Sequence, residues 1–190
     1  MTYLKWLLIS LLKIPLLLTV PIAAVLVPLF YRADKDENKD LYKRKFLGGF
    51  YIPFDNPVQG DRGWITKHSY FPNIITGFKG YLNRVGWLLR NPIYGFSKYA
   101  SVTYEAVDTL TIKGNPNVND KYKVAGWMFA MLRDSRGRLK AFEWYSVTPW
   151  SKTRDLRIRI GWKIKTDKMQ ERGWARHVVT INPFDGWGSN

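Results

Sequence analysis

Hydrophobic and polar positions change their spacing three times along the chain. From Trp6 to Tyr31, "WLLISLLKIPLLLTVPIAAVLVPLFY" is apolar all round and holds one charge, Lys13. Its uninterrupted part, Ile14 to Tyr31, is 18 residues, close to the minimum for crossing a hydrocarbon core of about 30 Å. Counting the turns before Lys13, whose side chain can snorkel, gives a comfortable span. Tyr3, Trp6, Phe30 and Tyr31 stand at the ends, where aromatic belts lie. Pro15, Pro21 and Pro28 are better tolerated in membrane helices than in soluble ones. "AAVLVPLFYRADKD" offers no small-x-small cleavage site. The pattern therefore predicts an uncleaved transmembrane anchor over 1–31.

Residues 32–49 read as a charged juxtamembrane linker, and 50–101 as loops plus one helix. "FYIPFDNPVQGDRGW" is turn-rich. "FKGYLNRVGWLLRNP" puts Phe78, Tyr81, Leu82, Val85, Leu88 and Leu89 at helical spacing and stops before Pro92. From Val102 the period becomes two. Strands are predicted near 102–112, 124–133, 139–147, 155–165 and 174–181, with "RDSRGR" as a turn. The expected class is α+β: an N-terminal transmembrane helix, then a small basic domain with an antiparallel β meander of about five strands over 102–190 and one amphipathic helix.

The strand "LRIRIGWKIK" raises the question of a partner. Alternation places Leu156, Ile158, Ile160, Trp162 and Ile164 on one side and Arg157, Arg159, Lys163 and Lys165 on the other. Arg136 and Arg138 add charge in the turn before it. The whole chain carries 30 Lys and Arg against 15 Asp and Glu, a net +15, which points to an anionic partner or surface. Three readings stand level. Single-stranded nucleic acid stacks on sheet aromatics beside cations, although Trp162 falls opposite the cations. Lipid headgroups need no stacking platform, each cation near an anionic leaflet contributing about 1 kcal/mol. A solvated outer face is the third. The cations Arg32, Lys35, Lys39, Lys43, Arg44 and Lys45 after the apolar run, against Lys5 before it, place the C-terminal bulk in the cytoplasm.

Four segments, "FDNPVQGD" (54–61), "NRVGWLLRNPIYGF" (83–96), "IRIGWKI" (158–164) and "INPFDGW" (181–187), together resemble a family of small tailed-phage proteins with hydrophobic N-termini and a domain of unknown function. The resemblance implies a phage gene product and transfers no catalytic residue.

Motifs for chemistry are sparse. The absence of cysteine removes thiolate ligands and nucleophiles. His68 and His177 are far apart, so no metal site and no cofactor are predicted. Asp55, Asn56 and Asp61 have oxygen ligands to offer, but Asp-Asn-Pro is turn chemistry. Arg84, Arg90 and Asn91 are read as structural, closing the helix end, with anion binding as the alternative. Glu143 among apolar neighbours would have a raised pKa if it faced inward. The function expected is a non-catalytic, membrane-anchored phage protein that holds an acidic partner, or modifies an envelope process, at the host inner membrane. Its partners would be membrane lipids, with nucleic acid or an acidic protein as further possibilities. One alternative is a virion component acting in genome delivery across the envelope. Another is a membrane-attached enzyme, which would need Glu143 or Asp108 beside His177 in a pocket.

Overall fold

The structure is a computed structural model that describes residues 1–29, 48–52, 56, 58–119, 122–164 and 173–186. The chain divides into two compact units, one of residues 1–10 with 100–190 and one of residues 11–99.

The first unit is an antiparallel sheet of six strands: β1 (Val102–Tyr104), β2 (Thr109–Gly114), β3 (Gly126–Arg133), β4 (Leu139–Pro149), β5 (Arg154–Lys163) and β6 (Gly173–Gly186). Strands β2 to β6 form the expected meander, and β1 pairs with the far side of β6, giving the order β1-β6-β5-β4-β3-β2. The single strand predicted over 102–112 is thus two, at opposite edges. The cause is a tight turn at Glu105–Asp108. The Asp108 amide donates to the Glu105 carbonyl at 3.0 Å, and the Glu105 amide donates to Asp108 Oδ2 at 2.8 Å. Edges of a flat six-stranded sheet would lie about 24 Å apart, whereas the steps from Tyr104 to Thr109 reach only about 17 Å when fully extended. The sheet must curl.

Cross-strand register defines two faces. Met128, Ala130, Leu132, Ala141, Glu143, Tyr145 and Val147 share one face and are buried, with Val118 packed over Met128, Tyr145 and Val147. The other face carries Phe129, Phe142, Trp144, Ile158, Ile160, Trp162, His177, Val179 and Ile181. At one end of it the start of α1 (Thr2–Leu18) packs Trp6 and Ile9 against the core of Phe142, Trp162 and Ala175.

In the second unit, α2 (Val20–Leu29) buries Val20, Ala23, Ala24 and Val27 against Trp64, Trp87 and Leu88. Trp64 opens a π-helical turn, Trp64–His68. Trp87 and Leu88 lie on α4 (Gly77–Arg90), the amphipathic helix. Short helices α3 (Gly48–Tyr51) and α5 (Phe96–Tyr99) complete the unit.

The apolar stretch expected to form one transmembrane helix forms two helices, α1 and α2. No single described helix is long and apolar enough to cross a membrane; α1 and α2 together pass on length and composition but are bent by 66° at the break. Thr19 ends α1 by donating its hydroxyl back to the Leu16 carbonyl at 2.6 Å, and Pro21 has no amide to continue the ladder. The linker residues 32–47 lie outside the described residues.

Candidate functional site

Helix α1 is apolar, yet its two sides differ. Leu4, Leu7, Leu8, Leu11 and Leu12 are exposed, linked by steps of three and four along one ridge, and Leu18 continues it two turns after Leu11. Thr2, Trp6, Ile9, Ser10, Lys13 and Leu16 are half-buried. Ser10 Oγ lies 3.2 Å from His177 Nε2, Trp6 Nε1 donates to the Val178 carbonyl at 3.3 Å, and Thr2 Oγ1 donates to the Leu139 carbonyl at 2.6 Å. Of α1's polar side chains past the first turn, Ser10 and Lys13 are both on the half-buried side. This inverts the usual arrangement of a surface helix. The repeat Thr2–Trp6–Ser10–Lys13 was the available sequence signal, hidden because leucine and isoleucine fill most of the other positions.

The described cations of the charged strand differ in their settings, Arg157 and Arg159 being half-buried and Lys163 exposed. Leu156 to Ile160 are all half-buried, and the side bearing Arg157 and Arg159 is the one on which Ala130, Leu132 and Val147 are buried. Arg159 Nε lies 2.7 Å from Glu143 Oε1, with the Arg159 side chain 20% exposed and Glu143 not at all. The guanidinium sits 3.9 Å from the Tyr145 ring centroid. Register explains the fit. Arg159 pairs with Tyr145 and reaches diagonally to Glu143, whose own neighbours are Ala130 and Gly161. Gly161 has φ +111°, and a Cβ there would come within 2.1 Å of the Phe142 carbonyl oxygen. Only glycine serves. Lys163 is exposed and stands across from Arg176; Lys165 lies outside the described residues.

Glu143 Oε2 accepts the Ile164 amide at 2.7 Å. Burial pushes the Glu143 carboxyl above its ordinary range, opposed by Arg159, the Ile164 N–H and Lys163. A carboxyl raised in the folded state binds its proton more tightly there than in the unfolded chain. Its contribution to stability is therefore full below the ordinary value of 4.5 and is lost as pH rises through the folded value. Glu143→Gln should accordingly gain on the parent as pH rises from acid to neutral, read as the difference between their thermal midpoints. A constant difference would show that Glu143 does not titrate in this way.

Beside this pair, a cleft of about 400 Å³ is lined by Pro116, Val118, Asn119, Tyr122, Tyr145 and Arg159, among others. Arg159 of the charged strand lines it. At the β3–β4 hairpin, Arg138 Nε holds Asp134 Oδ2 at 2.7 Å, and the Arg136 amide donates to Asp134 Oδ1 at 3.0 Å. The Arg138 amide, first among these contacts, holds the Asp134 carboxyl below its usual range. Arg138 thus closes its own turn.

The other candidates are tied into the helical unit. Asp61 Oδ1 accepts the Trp64 amide at 2.7 Å. Asn56 is half-buried, and Asp55 lies outside the described residues. Arg84 Nη1 donates to the Ile75 carbonyl at 2.9 Å. Asn91 Nδ2 donates to the Trp87 carbonyl at 3.0 Å. Arg90 does not join it at the helix end, but lies 5.6 Å from the Trp64 ring centroid. Asn83, which sequence reasoning did not single out, makes three bonds to the 71–74 turn.

Glu143 and His177 are on opposite faces of the sheet, and Asp108 holds Lys140 at 2.6 Å. The three are not brought together. Among the described residues no three His, Asp or Glu side chains are grouped to hold a metal ion.

These features define a basic α+β protein with a curled antiparallel sheet, a buried carboxylate–guanidinium pair and a leucine ridge turned outward. The chain belongs to the family of unknown function DUF7338, whose model matches residues 1–189. No curated protein and no solved structure matches it.

Proposed function

We propose that the protein is a membrane-attached, non-catalytic accessory protein of a tailed bacteriophage, holding an acidic partner or modifying an envelope process at the host inner membrane. The inverted polarity of α1 carries the membrane part of this reading. A ridge of exposed leucines backed by a half-buried Ser10 and Lys13 suits a helix with protein on one side and lipid on the other. Each half-exposed leucine moved into lipid contributes on the order of 1 kcal/mol, and the net charge of +15 adds attraction to an anionic leaflet. One side of α2 packs on protein through Val20, Ala23, Ala24 and Val27 while Ile22, Val25, Leu26 and Leu29 stay exposed, and the 66° bend between the helices suits an α1 that lies in the plane of the interface. An in-plane helix keeps the chain on its side of synthesis, and the cations of 32–45 favour the cytoplasm in the same sense. The phage part rests on the motifs at 54–61, 83–96, 158–164 and 181–187.

Substitution tests this better than deletion, since removing 1–31 would also remove Val20, Ala23, Ala24 and Val27 from the helical core. Leu4, Leu8, Leu11 and Leu12 changed together to Gln should move the full chain from the membrane fraction to the soluble fraction after a high-salt wash. A variant that stays with the membrane overturns the reading. So does one that changes only from dimer to monomer, because the ridge then serves a second copy.

A further inference from the structure

The sheet face that receives α1 is only partly covered by it. Tyr3 and Trp6 pack on Phe142, with ring centroids at 4.6 and 5.9 Å, and Trp6 lies along His177 at 6.1 Å. Two residues further along β4 the same face is open. Register assembles two cross-strand rows there, Phe129–Trp144–Ile160–Val179 and Trp127–Ser146–Ile158–Ile181. Trp127 is 45% exposed, Val179 47% and Ile181 67%. Trp127 and Trp144 stack on each other, centroids 5.3 Å apart and planes 7° from parallel. A soluble sheet normally turns polar residues to water on such a face.

The chemistry around the rows selects the occupant. Their members are aliphatic and aromatic side chains apart from Ser146, while Arg157, Arg159 and Lys163 belong to the opposite face. No cation stands within the two rows themselves, as a track running beside stacked bases would require. The rim is of the interfacial kind. Trp150, exposed at the end of β4, donates its Nε1 to the Pro183 carbonyl at 2.7 Å, and exposed Lys152 and Arg154 follow in the same turn. Exposed Lys113 borders the other side, across from Phe129. Indoles and cations framing an apolar patch match the headgroup layer of a membrane. The helix segment docked on that face exposes Leu4, Leu7 and Leu8 as well.

We propose that this open sheet face is a second lipid-contact surface, so that the β unit lies down on an anionic membrane through Trp127, Trp144, Ile158, Ile160, Val179 and Ile181. The proposal rests on the membrane reading of α1 and extends it to the sheet.

The chain has no cysteine, so single-cysteine variants of the full-length protein can each carry one environment-sensitive fluorophore. Ile181→Cys probes the sheet face, Leu8→Cys probes α1, and Asn117→Cys, on the exposed loop of the opposite face, is the control. Each is bound to phosphatidylcholine–phosphatidylglycerol vesicles with or without nitroxide-labelled acyl chains. Labels at 181 and 8 should shift to the blue and lose most of their emission to the nitroxide lipid, while the label at 117 keeps its emission. Quenching at 8 but not at 181 overturns the proposal and leaves the membrane reading standing. No quenching at either overturns both. Protection of 181 from aqueous iodide that appears only with added single-stranded DNA, or only at higher protein concentration, also overturns it, assigning the face to nucleic acid or to a second copy. Val179→Cys, in the neighbouring row, repeats the measurement should Ile181→Cys fold poorly.

Discussion

Arg159→Met should destabilise the β unit by about 3 kcal/mol, while Lys163→Gln, at an exposed position, changes it by less than about 1 kcal/mol. The difference lies in what each leaves behind. Glu143 is fully buried and reaches Arg159 at 2.7 Å; without the guanidinium its carboxylate keeps the Ile164 amide and distant Lys163 as its compensation. The carboxyl can take up a proton instead, which caps the loss and explains a figure at the low end for a broken buried pair. Loss of the contact with the Tyr145 ring adds a smaller part. The companion variant Glu143→Leu with Arg159→Met should recover most of the loss, because a buried pair replaced by apolar side chains of similar size no longer has to be desolvated. Since the chain holds two units, the measurement is amide hydrogen exchange of β3, β4 and β5 rather than one global transition. If Arg159→Met leaves those amides as protected as in the parent, the pair does not hold the sheet together.

That pair also shows where sequence reasoning stopped. Alternation located the strands well: the expected 139–147 and 155–165 are Leu139–Pro149 and Arg154–Lys163, and the helix expected around 78–89 is Gly77–Arg90. Alternation gives two sides of a strand but does not say which is covered. On β5 the isoleucines suggested the core side, yet neighbours decide. Ala130 and Gly161 leave room for Glu143, and Glu143 draws Arg159 inward. That depends on register between strands far apart in sequence, which no local pattern contains. The split of 102–112 was hidden for another reason. Glu105-Ala-Val-Asp108 turns through an Asp side chain without glycine or proline, so the usual punctuation is absent. In α1 the ridge was hidden by composition, since leucines on both sides leave Ser10 and Lys13 alone to mark the half-buried side.

The most distinctive segment, "NRVGWLLRNP", turns out to join one helix to one turn, and Asn83→Leu should therefore cost the helical unit about 3 kcal/mol. Asn83 is buried on α4. Its Nδ2 donates to the carbonyls of Phe71 at 2.7 Å and Ile74 at 2.8 Å, and its Oδ1 accepts the Phe71 amide at 3.0 Å. Leucine has the same number of side-chain heavy atoms with the same branching and is the bulkier of the two, so no cavity opens. What is lost is the partner of three backbone groups, each costing about 1–3 kcal/mol if it stays unsatisfied, a sum reduced by whatever water the loosened turn admits. Gly86, one turn further along, marks the same seam: a Cβ there would lie 2.6 Å from the Tyr70 ring. The loss should appear as faster exchange of the Phe71 amide and of the amides of α4, while β3 to β5 stay protected. Asn83→Asp tests the donor half alone. It keeps an oxygen to accept the Phe71 amide but sets a carboxylate against two carbonyl oxygens, so it should cost at least as much as leucine. If either variant leaves the 71–74 turn as protected as in the parent, the motif must be present for something other than closing this turn.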